Sequence, residues 1–70
     1  MTLGEARALE ARCRADVRNA YWNLCATSRA HPLRGTCEIA YEAALQALEE
    51  AEIAVIATEA IEAMTAKTPL

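Results

Sequence analysis

One short segment interrupts a chain that otherwise favours helix throughout. Pro32 lacks a backbone N–H and disfavours helical backbone at His31, and Gly35 permits positive φ. A short break between two long helical stretches makes the two helices antiparallel neighbours. The sequence therefore predicts an all-α, antiparallel two-helix hairpin that forms one domain over residues 1–70. Its predicted parts are helix 1 over about residues 2–29, a turn over residues 30–35 and helix 2 over about residues 36–66.

A few residues near the break and the N-terminus predict how the helices begin and end. Thr36 is of a type that caps helix N-termini, and Glu38 then lies in the first turn, where the helix dipole favours an acid. Gly4 weakens the start of helix 1, so we expect the first turn to fray or to form a separate short piece. His31 is expected to decorate the turn or to cap the last carbonyls of helix 1.

Composition limits both the fold and its stability. Alanine supplies 17 of the 70 residues, Phe is absent, and Gly and Pro number two each. This mix excludes a β-sandwich, a barrel or a two-domain enzyme. Even a compact globule of this mass would gain only about 100 kcal/mol from apolar burial, against about 105 kcal/mol for ordering the chain. An elongated hairpin buries less, so we expect it to need a partner subunit.

Apolar residues follow helical spacing on both helices. Helix 1 has one stripe: Leu9, Cys13, Val17, Ala20, Leu24 and then Thr27 or Ser28. Helix 2 has a first apolar side: Tyr41, Ala44, Leu45, Leu48, Ala51 and Val55. A second side, turned by roughly 120° from the first, follows it: Ile53, Ile56, Ala57, Ala60, Ile61 and Met64. One partner helix covers only one of these sides, so we predict that the second forms an interface in a homo-oligomeric bundle of four helices or a larger closed ring.

Charge is divided between the two halves of the chain. Residues 1–35 carry six arginines and three acids, a net charge of +3, and residues 36–70 carry one lysine and seven glutamates, a net charge of −6. Opposite charges of this kind attract each other within a chain or between chains and set the orientation of the contact.

The cysteines and the hydropathy pattern predict the cellular compartment. Cys13, Cys25 and Cys37 are odd in number, and no segment resembles a signal peptide. The longest apolar run, residues 53–57, is far too short to span a membrane. We expect a cytoplasmic protein with free thiols and no membrane contact.

Residues that would support catalysis or metal binding are sparse. Ser28 and His31 lie at the turn without a neighbouring acid. Glu49, Glu52 and Glu59 could share a face, but no Glu-x-x-His motif accompanies them, and a solvated acidic face opposite the arginines explains them better. We expect no enzymatic activity, no metal and no cofactor.

Cations and aromatic side chains concentrate near the turn. The predicted ligand-binding residues are Arg18, Tyr21, Trp22, Arg29, Arg34 and Tyr41. Guanidinium groups match phosphate geometry and aromatic rings stack on bases, so a small phosphorylated or nucleotide ligand would suit this group. The other interpretation is that the aromatics are core residues and the arginines pair with glutamates. Nucleic acid is not an expected partner, because the net charge is negative and basic residues are few.

The segment Ala44-Leu-Gln-Ala-Leu-Glu-Glu-Ala51, followed by Ile53 and Ile56, resembles part of a known family. It is similar to the second helix of phage anti-defence sponge hairpins, which are small helical proteins that oligomerise and sequester cyclic nucleotide signals of bacterial immunity. The resemblance implies a non-catalytic protein that inhibits by sequestering a nucleotide signal or a target protein. The alternative is a structural or adaptor hairpin that docks onto a different protein.

Overall fold

A computed structural model of the protein describes residues 1–66. It contains two helices, α1 (Leu3–Ala26) and α2 (Arg34–Ala66), which pack against each other. Arg7 contacts Glu59 near one end, and Tyr21 contacts Tyr41 near the other, so the helices run antiparallel. The predicted all-helical hairpin is confirmed.

The hairpin is a rod rather than a compact globule. It measures 63 × 13 × 13 Å and has a radius of gyration of 16.9 Å, compared with about 11 Å for a compact domain of this length. Its two helices therefore contact each other along one line and leave most of their circumference open to solvent.

A capping box begins α1 at Thr2, which has extended backbone angles. The Thr2 hydroxyl accepts a hydrogen bond from the Glu5 backbone N–H at 3.1 Å, and the Glu5 carboxylate accepts from the Thr2 hydroxyl and backbone N–H at 3.0 and 3.3 Å. These bonds hold the pKa of Glu5 below its ordinary value. The prediction that the first turn frays or separates is therefore wrong, and the Thr-x-x-Glu spacing was the signal for the cap.

The turn differs in detail from the prediction, because α1 ends at Ala26 instead of near residue 29. Thr27 leaves the helical region with φ −103° and ψ 121°. Two successive tight turns follow, in which the N–H of His31 bonds the Ser28 carbonyl and the N–H of Arg34 bonds the His31 carbonyl, each at 3.0 Å.

The start of α2 also differs from the prediction. Helix α2 begins at Arg34, so Thr36 lies inside its first turn and does not cap it, and Gly35 has no positive φ. The Leu33 carbonyl accepts the first helical hydrogen bond, from Cys37 N–H at 3.0 Å, and His31 Nδ1 accepts from Leu33 N–H at 3.0 Å. The chain re-enters helix this early because Pro32 restricts the residue before it, while its own fixed φ is compatible with a helical start.

Small side chains form the contact between the helices. The predicted α1 stripe is buried or half-buried from Leu9 to Thr27, and Ala6 extends it toward the N-terminus. The α2 row alternates steps of four and three residues, the spacing of a coiled-coil seam: Cys37, Tyr41, Ala44, Leu48, Ala51, Val55 and Thr58. Leu45, predicted on this side, is 41% exposed.

The resulting core is thin. Its buried apolar members among the described residues are Ala6, Cys13, Ala51 and Val55, and no larger side chain is fully buried. Such small residues let the helices approach closely, but they remove little apolar area from water.

Candidate functional site

The second apolar side of α2 is exposed over its whole length, and we call it the outer face of α2. Its members are the predicted interface residues Ile53, Ile56, Ala57, Ala60, Ile61 and Met64. Ile53, Ile56 and Ile61 are 58%, 66% and 63% exposed. No helix of the hairpin covers this face, because α1 packs on the other side of α2.

The two sides of α2 are closer to opposite than the predicted 120°. Val55 faces α1 and is 9% exposed. Ile53 and Ala57 lie two residues to either side of it, which places each about 160° around the helix from Val55. Sequence spacing showed that two sides exist, but only the position of α1 showed which direction is inward.

One pair of the predicted ligand-binding residues meets across the hairpin. The ring centroids of Tyr21 and Tyr41 lie 5.9 Å apart at an angle of 48°. Tyr41 is half-buried and Tyr21 is exposed. A hydrogen bond with the Cys25 side chain is the main cause that raises the pKa of Tyr21. This pair packs along the edge of the helix contact, and because Tyr21 is 52% exposed it is not the core residue that the other interpretation predicted.

Arg18 and Trp22 lie elsewhere, on the side of α1 that faces away from α2. They are four residues apart and so share one helix face, and both are exposed, Trp22 at 67%. Arg29 is exposed in the turn. The predicted ligand-binding residues therefore lie in three places. They are the edge of the helix contact (Tyr21 and Tyr41), the side of α1 away from α2 (Arg18 and Trp22) and the turn (Arg29 and Arg34).

Arg34, the other arginine of the turn, is bound into the fold. Its Nη1 donates to the carbonyls of Leu24 at 3.0 Å and Thr27 at 2.7 Å, and its Nε donates to the Glu38 carboxylate at 3.0 Å. The half-buried guanidinium therefore satisfies the end of α1 from the start of α2. The prediction for His31 named the carbonyl-capping role, but Arg34 performs it.

A shallow open cleft of about 380 Å³ lies on the other side of the helix contact from the tyrosine pair. It is lined by Asp16, Asn19 and Asn23 of α1 and by Thr36, Cys37 and Ala40 of α2. It exists because Cys37 and Ala40 are too small to fill it. The lining includes a carboxylate and no cation, so the cleft does not suit a phosphate.

Few of the charges are paired. Within residues 1–66, the one ion pair that joins the helices is Arg7–Glu59 at 3.3 Å, and the other two, Arg14–Glu10 and Arg34–Glu38, lie within a helix segment. Among the described residues, the charges that form no ion pair include two cations on α1, Arg12 and Arg18, and two anions on α2, Glu49 and Glu50.

Residues 1–66 were also searched for metal-ligating groups, disulfide bonds and membrane-spanning helices. They hold no group of three metal-ligating side chains, and the three cysteines are free. Neither helix combines the length and the apolar character needed to cross a bilayer.

Comparison with protein-family models, curated proteins and solved structures finds no match to this chain. Its function must therefore be inferred from its own residues.

Proposed function

We propose that this chain is a non-catalytic binding protein that assembles with copies of itself through the outer face of α2. The observation that carries the proposal is the exposure of Ile53, Ile56 and Ile61 on one side of a helix whose other side is already occupied. A helix that is apolar on two sides is normally covered on both. The assembled form is a homo-oligomeric helical bundle.

The dimensions of the hairpin support assembly. The chain exposes 5437 Å², whereas a compact monomer of this mass exposes about 4,300 Å². The difference is similar to the roughly 800 Å² that each partner buries in a standard protein interface. Because the core holds only small side chains, burial between copies would add to the small stability of the isolated hairpin.

Replacing Ile56 by Glu tests the assembly. We expect the wild-type chain to have a molar mass of two or more protomers by light scattering and Ile56→Glu to have the mass of one, with helix content by circular dichroism retained. The matched control is Leu33→Glu, which places the same charge on an exposed apolar residue of the turn and should keep the wild-type mass.

A wild-type chain with the mass of one protomer contradicts self-association. If such a chain also aggregates with time, the outer face of α2 belongs to a different protein, as in the adaptor alternative. If Ile56→Glu keeps the wild-type mass, the assembly uses another surface.

We further propose that the assembly sequesters a small phosphorylated ligand of the nucleotide type, in the cytoplasm of a phage-infected bacterium. Arg18 and Trp22 support this proposal, since an exposed cation and an exposed indole share one face of α1 at the loop end. An arginine fork binds phosphate oxygens, and an indole stacks on a base.

Thermal unfolding with a panel of cyclic mono- and dinucleotides tests this ligand. A ligand present at 100 times its Kd stabilises a protein by about 2.7 kcal/mol, which raises the Tm of so small a domain by about 10 °C or more. Trp22→Ala should remove the shift, whereas Arg14→Ala, at the middle of α1 and about two helical turns from Trp22, should retain it. If no nucleotide shifts the Tm of the wild-type chain, the ligand proposal fails and the assembly is unaffected.

A further inference from the structure

We propose that the outer face of α2 is covered by the outer face of α1 from a second copy that lies beside it. We call this contact head-to-tail because each copy contributes a different surface to it. The outer face of α1 is the side that points away from α2, and toward the end that carries both chain termini it consists of Gly4, Ala8, Ala11 and the half-buried Ala15. This inference rests on the proposed self-association and specifies which two surfaces meet.

The two outer faces are complementary in shape. Near the end that carries both chain termini, the α2 face presents the large side chains of Ile53 and Ile56, while the α1 face presents only Gly and Ala. The Arg7–Glu59 and Tyr21–Tyr41 contacts set the relative height of the helices, and they place Ala11 about level with Ile53 and Ala8 about level with Ile56. Copies side by side at the same height would therefore pack large residues against small ones.

Charge is complementary at the middle of the rod. Glu49 and Glu50 lie beside the outer face of α2, at a height between Arg12 and Arg18, which flank the outer face of α1. Within the described part of the chain these four side chains form no ion pair. A head-to-tail contact brings the two anions of one copy within about one helical turn of Arg12 of the next, while Arg18 is left for the ligand of the proposed function.

A two-fold contact of α2 with α2 lacks this complementarity. Glu49 and Glu50 lie at the midpoint of α2 (Arg34–Ala66). Parallel two-fold packing, and antiparallel two-fold packing in which the two helices overlap over their whole length, therefore place these glutamates against their own copies. Like charges in an interface cost several kcal/mol, so the electrostatics favour the head-to-tail arrangement.

In a head-to-tail contact every copy uses two different surfaces. Rotation about an axis parallel to the rod keeps all copies at one height, and it closes them into a ring when the successive rotations sum to a full turn. The contact of large with small residues lies toward the end that carries both chain termini, and Trp22 lies outside it, toward the loop end.

Mixing two variants tests the contact. Ile56→Glu blocks the α2 surface and Ala11→Glu blocks the α1 surface, and both residues are exposed, so circular dichroism should show the wild-type helix content. We expect each variant alone to have the mass of one protomer. A one-to-one mixture should form a species of two protomers, because one intact surface of each kind remains. Ala47→Glu, exposed but on neither outer face, is the control and should keep the wild-type mass.

The outcomes separate this inference from the proposed function. If Ala11→Glu retains the wild-type mass while Ile56→Glu does not, the α2 face pairs with something other than α1, and only the head-to-tail contact is overturned. A mixture that stays at one protomer at every concentration also overturns it. A wild-type chain of one protomer overturns self-association itself.

A charge exchange gives an independent check. Arg12→Glu and Glu50→Arg each place like charges together and should raise the concentration at which the assembly half-dissociates by about tenfold. The double variant restores opposite charges and should return this concentration close to the wild-type value. A double variant weaker than both single variants contradicts the predicted pairing.

Discussion

The variant Val55→Glu is expected to abolish cooperative folding of the hairpin. Val55 is 9% exposed and faces α1 in the contact row. A carboxylate at this position loses the burial of the valine and has no partner, which costs about 3 kcal/mol or more. For a hairpin with so thin a core, that loss exceeds the available stability, and circular dichroism at 222 nm should show most helix signal lost.

The neighbouring variant Ile56→Glu is the matched control, because it introduces the same side chain one residue further along α2. Ile56 is 66% exposed, so its replacement should leave helix content in place while it reduces the molar mass. If Val55→Glu keeps both its helix signal and a sharp thermal transition, the inward direction of α2 is misassigned. If the two variants are equally unfolded, folding requires the assembly.

The second large effect is expected for Arg34→Met. The guanidinium of Arg34 satisfies two carbonyls at the end of α1 and is itself only one-quarter exposed. Its removal leaves the Leu24 carbonyl with only the 3.3 Å bond from Thr27 N–H and removes the short bond to the Thr27 carbonyl. Hydrogen bonds to a charged group contribute about 1.5–3 kcal/mol, so we expect a loss of about 2 kcal/mol in urea unfolding at fixed protein concentration.

Two variants define the cause of this loss. Arg29→Met removes an exposed arginine of the same turn and should change stability by less than about 0.5 kcal/mol. Arg34→Lys keeps the positive charge without the planar fork and should fall between Arg34→Met and wild type. Equal stability of Arg34→Met and Arg29→Met would contradict the assigned role of the guanidinium.

The two helices and the side of α1 that packs against α2 follow from local sequence signals. Pro32 marks the break, and the spacing from Leu9 to Thr27 marks the α1 stripe, because both act through backbone geometry within a few residues. The capping box of Thr2 and Glu5 is equally local and was overlooked. Gly35 permits positive φ but does not adopt it, because glycine allows that conformation without requiring it.

The candidate sites depend on contacts between residues distant in sequence. Nothing local to Arg34 distinguishes it from Arg29, yet one bridges two helix ends and the other is exposed in the turn. Tyr21 and Trp22 are adjacent in sequence, yet Tyr21 meets Tyr41 while Trp22 faces away. A step of one residue turns a helix by about 100°, so the direction of each side chain is known only once the partner helix is in place.

The sequence by itself determined two long helices, the break between them and the presence of two apolar sides on α2, because helix propensity and periodicity act over short stretches of chain. Only the tertiary structure decided how far apart around α2 these sides lie, which arginine closes the turn, and that Tyr21 rather than Trp22 packs against α2. The physical reason is that the order of residues alone places apolar side chains on both sides of α2. Burial of either side depends on where the one partner helix of the hairpin packs.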